Sequence, residues 1–441
     1  MKYGFIILLI ALLAKDILPI GDRYVLRGLS EGIALAVGAG WLLTHQLHLF
    51  AKRYVLAFLY LAVLFLTAIV SQRPYFVMLQ VMCLGAVILF FIAYHEASAL
   101  DRDTSSWNLF TVGCAFALVC LGSLVLLAAR PQLAFEVTTE GNRFRGLFNE
   151  PAMMGAVSGL LIGLVAFGRF SWLIRIIGAL AAVPCLYLTG SRTSWGAAAA
   201  GLLITGMIYI RQKRAWMIGL AFVGVIGSLG LVILDLKMAS ETPSHVIRSN
   251  SIGTLSGRTA LWEVALKKYQ DSPLLGYGFT TGSDALASDM GDTLSTAFGV
   301  ADRSQQKLFS LHSGYIQALL DSGILGATLY IAILGSALWR LFRYDLKRRH
   351  GAEMYCLIFF SISNVTDTII FGAAVFYEVF YWYLSILALG IVGLTQEEVT
   401  DSSQQEHVHE SSSTTLVSDF SLKPGNQPTP ARIRRFPLLQ D

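Results

Sequence analysis

Charge interrupts this chain so rarely that apolar runs of about twenty residues follow one another along most of its length. A run of that length matches the hydrocarbon core of a bilayer. Inside lipid the backbone must satisfy its own hydrogen bonds, which leaves helices or closed barrels. The runs are continuously apolar and do not alternate, so helices are expected. With 55% hydrophobic and 14% charged residues and a mean hydropathy of +0.60, the chain lies well outside soluble globular composition.

Candidate spans fall near residues 3–20, 24–44, 54–71, 74–94, 108–129, 152–168, 172–189, 195–210, 215–235, 314–341, 353–372 and 375–395. The expected fold is therefore all-α: a polytopic membrane protein with about twelve transmembrane helices. The run Phe5 to Leu13 could pass for a signal-peptide core, but Lys15 and Asp16 follow it without a small-residue cleavage site. It is read as a retained first span. Net charge is only +4 and is spread over loops, which gives no footing for nucleic acid. All five cysteines lie in apolar runs and no Cys/His spacing suits zinc. Neither a disulfide framework, a metal nor a cofactor is expected.

Lys and Arg in short loops orient the spans. Lys52 and Arg53, Arg169 and Arg175, Arg211, Lys213 and Arg214, and the group Arg340, Arg343, Lys347, Arg348 and Arg349 fall on one side of the alternation. That side is expected to be cytoplasmic. Residues 1–236 then hold spans one to nine, 237–312 form a large outer loop, and 313–395 hold spans ten to twelve. Residues 396–441 are too polar to bury a core and read as a disordered cytoplasmic tail. Arg432, Arg434 and Arg435 in that tail either touch anionic lipid headgroups or are simply solvated.

Two outer segments carry arginines where topology disfavours them: Arg143 and Arg145 before the sixth span, and Arg192 between the seventh and eighth. Snorkelling explains any one of them alone; three on one face call for a function. In the long loop, Ala260, Leu261, Trp262, Ala265, Leu266 and Tyr269 recur at helical spacing. A helix is expected from just after Ser256-Gly257 to before Pro273, with Arg258 in its first turn. The exposed N–H groups of a helix start favour an anion, and a guanidinium fork donates two parallel hydrogen bonds to phosphate. His312 closes the loop ahead of the tenth span, and its imidazole can take a proton near neutral pH. Taken alone, a histidine there is as readily a structural hydrogen-bonder. Asp284, Asp289 and Asp292 fit no ligand loop; Asp235, Asp321 and Glu378 are expected near span ends. Asn364 and Asp367 in the eleventh span should face the protein interior, for structure or for a pathway or acceptor site.

Four stretches give the chain a resemblance to the O-antigen ligase and O-antigen polymerase (Wzy-like) superfamily of bacterial membrane glycosyltransferases. They are Arg145-Gly146-Leu147-Phe148-Asn149-Glu150-Pro151, then Leu188-Thr189-Gly190-Ser191-Arg192, then Ser256-Gly257-Arg258 with Trp262 and Ser272-Pro273-Leu274-Leu275-Gly276-Tyr277-Gly278, and His312-Ser313-Gly314-Tyr315 with Gly323-Ile324-Leu325-Gly326. The resemblance covers about residues 140 to 345. It implies a GT-C-type fold with a large periplasmic loop. It also implies metal-independent, inverting transfer of a glycan from an undecaprenyl-pyrophosphate carrier, without a cofactor, to an acceptor hydroxyl on another lipid-linked glycan or on a lipid A core. The site would face the periplasm from the bacterial inner membrane, in cell-surface polysaccharide assembly. By the same resemblance His312 is the catalytic group, and Arg258 and Arg192 bind the pyrophosphate. Arg143, Arg145 and Tyr315 complete the substrate-binding set. The chain departs from the pattern at Phe148-Asn149-Glu150-Pro151-Ala152-Met153 and at Ser313, where relatives carry an asparagine. Several arginines at one cavity suit two pyrophosphate-linked substrates, which favours a polymerase over a ligase. An anion transporter on the same fold is the rival from another class.

Overall fold

A computed structural model describes residues 52–98, 104–138, 141–209, 258–286, 311–344, 350–368 and 375–391, with isolated positions between 8 and 40. The spans expected at 3–20 and 24–44 lie almost wholly outside the described residues. The span at 215–235, the loop residues 237–257 and 287–310, and the tail lie wholly outside them.

In chain order the elements are α1 (Val55–Val70), α2 (Pro74–Ser98), α3 (Thr104–Ala129), α4 (Pro131–Ala134), β1 (Phe135–Thr138), β2 (Gly141–Phe144), α5 (Pro151–Phe167), α6 (Trp172–Leu188), α7 (Arg192–Tyr209), α8 (Arg258–Tyr269), α9 (Gly314–Tyr344), α10 (Gly351–Thr366) and α11 (Phe376–Gly390). The segments Pro74–Ala97, Trp107–Ala129 and Gly314–Arg343 are long and apolar enough to cross a membrane. Val55–Val70, Pro151–Phe167, Trp172–Leu188 and Phe376–Gly390 are shorter apolar helices. The chain is a mostly helical membrane protein.

One continuous core runs through the helices, built from aromatic rings that fill the space between them. Trp382 stacks on Tyr60 at 5.8 Å between centroids, and Phe148 stacks on Phe376 at the same separation. In a bilayer lipid is as apolar as the core, so interlocking shape holds these helices together more than water exclusion does.

The helical reading stands, with one short hairpin added, in which β1 and β2 pair antiparallel with Phe135 opposite Phe144 and Glu136 opposite Arg143. Two other expectations are corrected. The helix expected over 353–372 stops at Thr366, where Asp367 turns to an extended backbone as its C-cap. Asp321 does not lie at a span end; it is fully buried within α9.

Asp321 sits beside a break in α9 at Gly323, whose φ of 62° leaves the helical region. A break frees backbone groups that lipid cannot satisfy. Residues 273–282 satisfy them here: the carbonyls of Pro273 and Leu274 accept the N–H groups of Ile324 (2.8 Å) and Leu325 (3.4 Å). The N–H groups of Tyr277 and Gly278 donate to the carbonyls of Leu320 and Asp321, each at 2.9 Å. The Asp321 carboxylate accepts the N–H groups of Thr280 (3.0 Å) and Gly282 (2.7 Å) and the Gln317 amide (2.9 Å). A Cβ at Gly323 would lie 2.2 Å from the Leu274 carbonyl oxygen, so only glycine admits this crossing. The two glycine-containing motifs after Arg258 and His312 are thus the two halves of one joint.

Candidate active site

The joint carries α8 onto the start of α9. Leu261 and Ala265 of α8 are buried against Leu286, Leu311 and Leu320, whereas Leu266 of the expected apolar face is exposed. Trp262 Nε1 donates to the Leu311 carbonyl at 2.9 Å and so ties the loop helix to the residue next to His312. Arg258 is the first residue of α8, one helical turn before Trp262; its side chain lies outside the described residues.

His312 adopts a left-handed backbone, with φ of 49°. Such a conformation costs on the order of 1–3 kcal/mol and persists where the surroundings enforce it. On the far side of His312, the Gly314 N–H donates to the Asp367 carbonyl (3.1 Å), and the Tyr315 hydroxyl donates to the Ser361 carbonyl (2.9 Å). A Cβ on Gly314 would meet the Asn364 side-chain oxygen at 1.9 Å, so the start of α9 lies hard against the end of α10. Asn364 Nδ2 in turn donates to the Tyr330 hydroxyl at 3.0 Å. His312 Nδ1 stands 3.9 Å from Asp367 Oδ1, with the histidine side chain 47% exposed and the aspartate 19%. An accessible imidazole faces a more sheltered carboxylate.

Arginines enter from the neighbouring helix ends. Arg192 is the first residue of α7, and beside it Thr193 shares a 2.7 Å hydroxyl hydrogen bond with Thr366, next to Asp367. Arg143 reaches in from β2, its Nε donating to the Thr189 carbonyl at 3.3 Å. Partial burial pulls the Arg143 pKa down, the carboxylates of Glu136 and Asp367 pull it up, and the nearby Arg192 pulls it down again. Glu150, the N-cap of α5, belongs to the same charge cluster. Loss of hydration among the surrounding protein groups and the negative charges of Asp367 and Glu136 raise its pKa, against the opposing pull of His312.

The expected residues thus fall into two groups. His312, Arg192 and Arg143 share one electrostatic neighbourhood through Asp367. Arg145 is tied to the end of α4, with Nε donating to the Leu133 carbonyl at 3.3 Å, and Tyr315 spends its hydroxyl on α10. Asp367, expected to face the interior for structure or for a pathway or acceptor site, lies beside His312, and Glu150, which was not singled out, joins the same cluster. Asp367 did carry a signal, a carboxylate within an apolar run; Glu150 carried only its place in a motif.

A search of curated proteins found no match. Residues 177–331, about a third of the chain, match the family model described as O-Antigen ligase. The match runs from α6 through the Gly323 joint and includes Arg192, Arg258 and His312. Residues 177–331 of this membrane protein are therefore similar to the O-antigen ligase family.

Proposed function

We propose that the chain is a glycosyltransferase that moves a glycan from an undecaprenyl-pyrophosphate carrier to an acceptor hydroxyl, at the end of the helix bundle where α9 begins. The observation that carries this reading is the convergence of His312, Asp367, Arg192 and Arg143 on that end, within or beside the matched segment. The basic residues Lys52, Arg53, Arg175 and Arg340 lie at the opposite helix ends. By the positive-inside rule those ends are cytoplasmic and the site faces the periplasm of the inner membrane.

The imidazole of His312 takes the proton of the acceptor hydroxyl as its oxygen attacks the anomeric carbon. The bond from that carbon to the pyrophosphate oxygen breaks, and undecaprenyl pyrophosphate leaves with the bonding pair. Attack opposite the leaving group inverts the anomeric centre. Asp367 stabilises the imidazolium as it forms, and Arg192 and Arg258 hold the pyrophosphate, with Arg143 in support. Placing cations where charge develops is an efficient use of a preorganised site. Two pyrophosphate-linked substrates at one cation-rich site make polymerisation of oligosaccharide units the preferred reaction, with ligation to a lipid A core the alternative acceptor choice. The transporter reading gains nothing from the broken helix, since residues 273–282 fill the break at Gly323.

Purified full-length protein incubated with an undecaprenyl-pyrophosphate oligosaccharide tests the reading. Chain growth identifies a polymerase, and transfer to added lipid A core identifies a ligase. Replacing His312 by Ala should lower turnover by roughly 10²–10⁴. Arg258→Lys keeps the charge but loses the guanidinium fork and should also fail. Full turnover by His312→Ala at normal expression would overturn the assignment.

A further inference from the structure

A second charged site lies at the opposite end of α9, roughly 40 Å from His312 at 1.5 Å per residue. There a cavity of about 360 Å³ opens between the start of α1 and the ends of α9 and α11. Lys52, Arg53 and Arg340 supply three cations, Trp339 and Leu389 an apolar wall, and Gly335 an open floor. An added Cβ on Gly335 would meet nothing within 4 Å.

Local partners leave the cavity basic. Arg340 Nη1 donates to the Leu389 and Ile391 carbonyls at the end of α11, which fixes the guanidinium in place and leaves most of its five donors for other acceptors. Arg53 Nη1 faces Glu96 at 3.4 Å, and Tyr54 donates to the same carboxylate at 2.9 Å. Among the described residues, one carboxylate thus stands against three cations. Trp339 is 59% exposed, as befits an indole at the level of lipid headgroups.

We propose that this cavity binds the phosphate headgroup of an anionic phospholipid. Three cations at the mouth of an interhelical cleft match a phosphate, while Trp339 and Leu389 line the path of an acyl chain. Soluble phosphate offers the same charge but no tail for that apolar wall. The site is independent of glycan transfer, since it shares no residue with the His312 cluster.

Native mass spectrometry of the detergent-solubilised full-length protein, with phosphatidylglycerol, phosphatidylcholine or inorganic phosphate added, tests the proposal. The protein should retain phosphatidylglycerol in preference to phosphatidylcholine. Lys52→Gln should weaken retention roughly fivefold, the typical worth of one basic residue near an anionic lipid surface. Gly335→Leu fills the cavity without changing charge and should abolish retention, while His312→Ala should bind lipid normally even if transfer is lost. Equal retention of the two lipids, full retention by both cavity variants, or displacement of the lipid by inorganic phosphate would overturn it.

Discussion

At the level of single residues, the site depends on neighbours that share no sequence motif. His312 faces Asp367 across 3.9 Å, from the start of α9 to the end of α10. Removing that carboxylate while keeping its shape, as Asp367→Asn, should lower kcat roughly tenfold to a hundredfold with little change in KM. Solvent reaches His312 and screens the pair, so the loss stays smaller than for His312→Ala. A kcat equal to that of the unmodified enzyme in the chain-growth assay would remove Asp367 from the reaction. Glu150 offers a test in pH. Its carboxyl pKa is raised by loss of hydration and by neighbouring carboxylates, so folding favours its protonated form. The stability it contributes is complete below the ordinary carboxylate range and is lost as pH rises through the raised value. Glu150→Gln mimics the protonated form. Thermal unfolding should show the variant more stable than the unmodified protein at pH 7.5 and equal to it at pH 4.

At the level of elements, the joint between residues 273–282 and the break in α9 sets where α8 and His312 lie. Gly323→Ala would press a Cβ against the Leu274 carbonyl at a backbone angle that L residues disfavour, at a cost on the order of 3 kcal/mol or more. Gly335→Ala, in the same helix but with open space at its Cβ, should leave the melting temperature unchanged or slightly higher. Equal melting temperatures for the two variants would show that the joint is not rigid. The helices themselves were legible from the length of the apolar runs: α1, α2, α5, α6 and α11 begin within two residues of their expected starts. The break in α9 was not, because Gly323 reads as an ordinary small residue in a span until a second strand of backbone is seen crossing it.

At the level of the whole molecule, the two charged sites occupy opposite ends of α9, which gives the topology a direct test. With the five native cysteines replaced by Ala, a cysteine at Ser288 in the long loop should react in intact cells with a maleimide that passes the outer but not the inner membrane. A cysteine at Gln212 should react only after the inner membrane is opened. The reverse pattern would invert the assignment of the site to the periplasm.

Apolar run length and loop charge determine on their own that this chain lives in a membrane as a bundle of helices, because lipid leaves the backbone few alternatives. The motifs likewise single out His312, Arg192, Arg143 and Arg258 by chemistry and position. Tertiary structure alone decided which of them meet. Arg143 and His312 are far apart in sequence and share a neighbourhood only because β2, α7, α9 and α10 end together, and Arg145, two residues from Arg143, is turned to α4 instead. Arg145 lies one residue past the end of β2, where the chain turns at Gly146, and no local pattern records which partner each arginine meets.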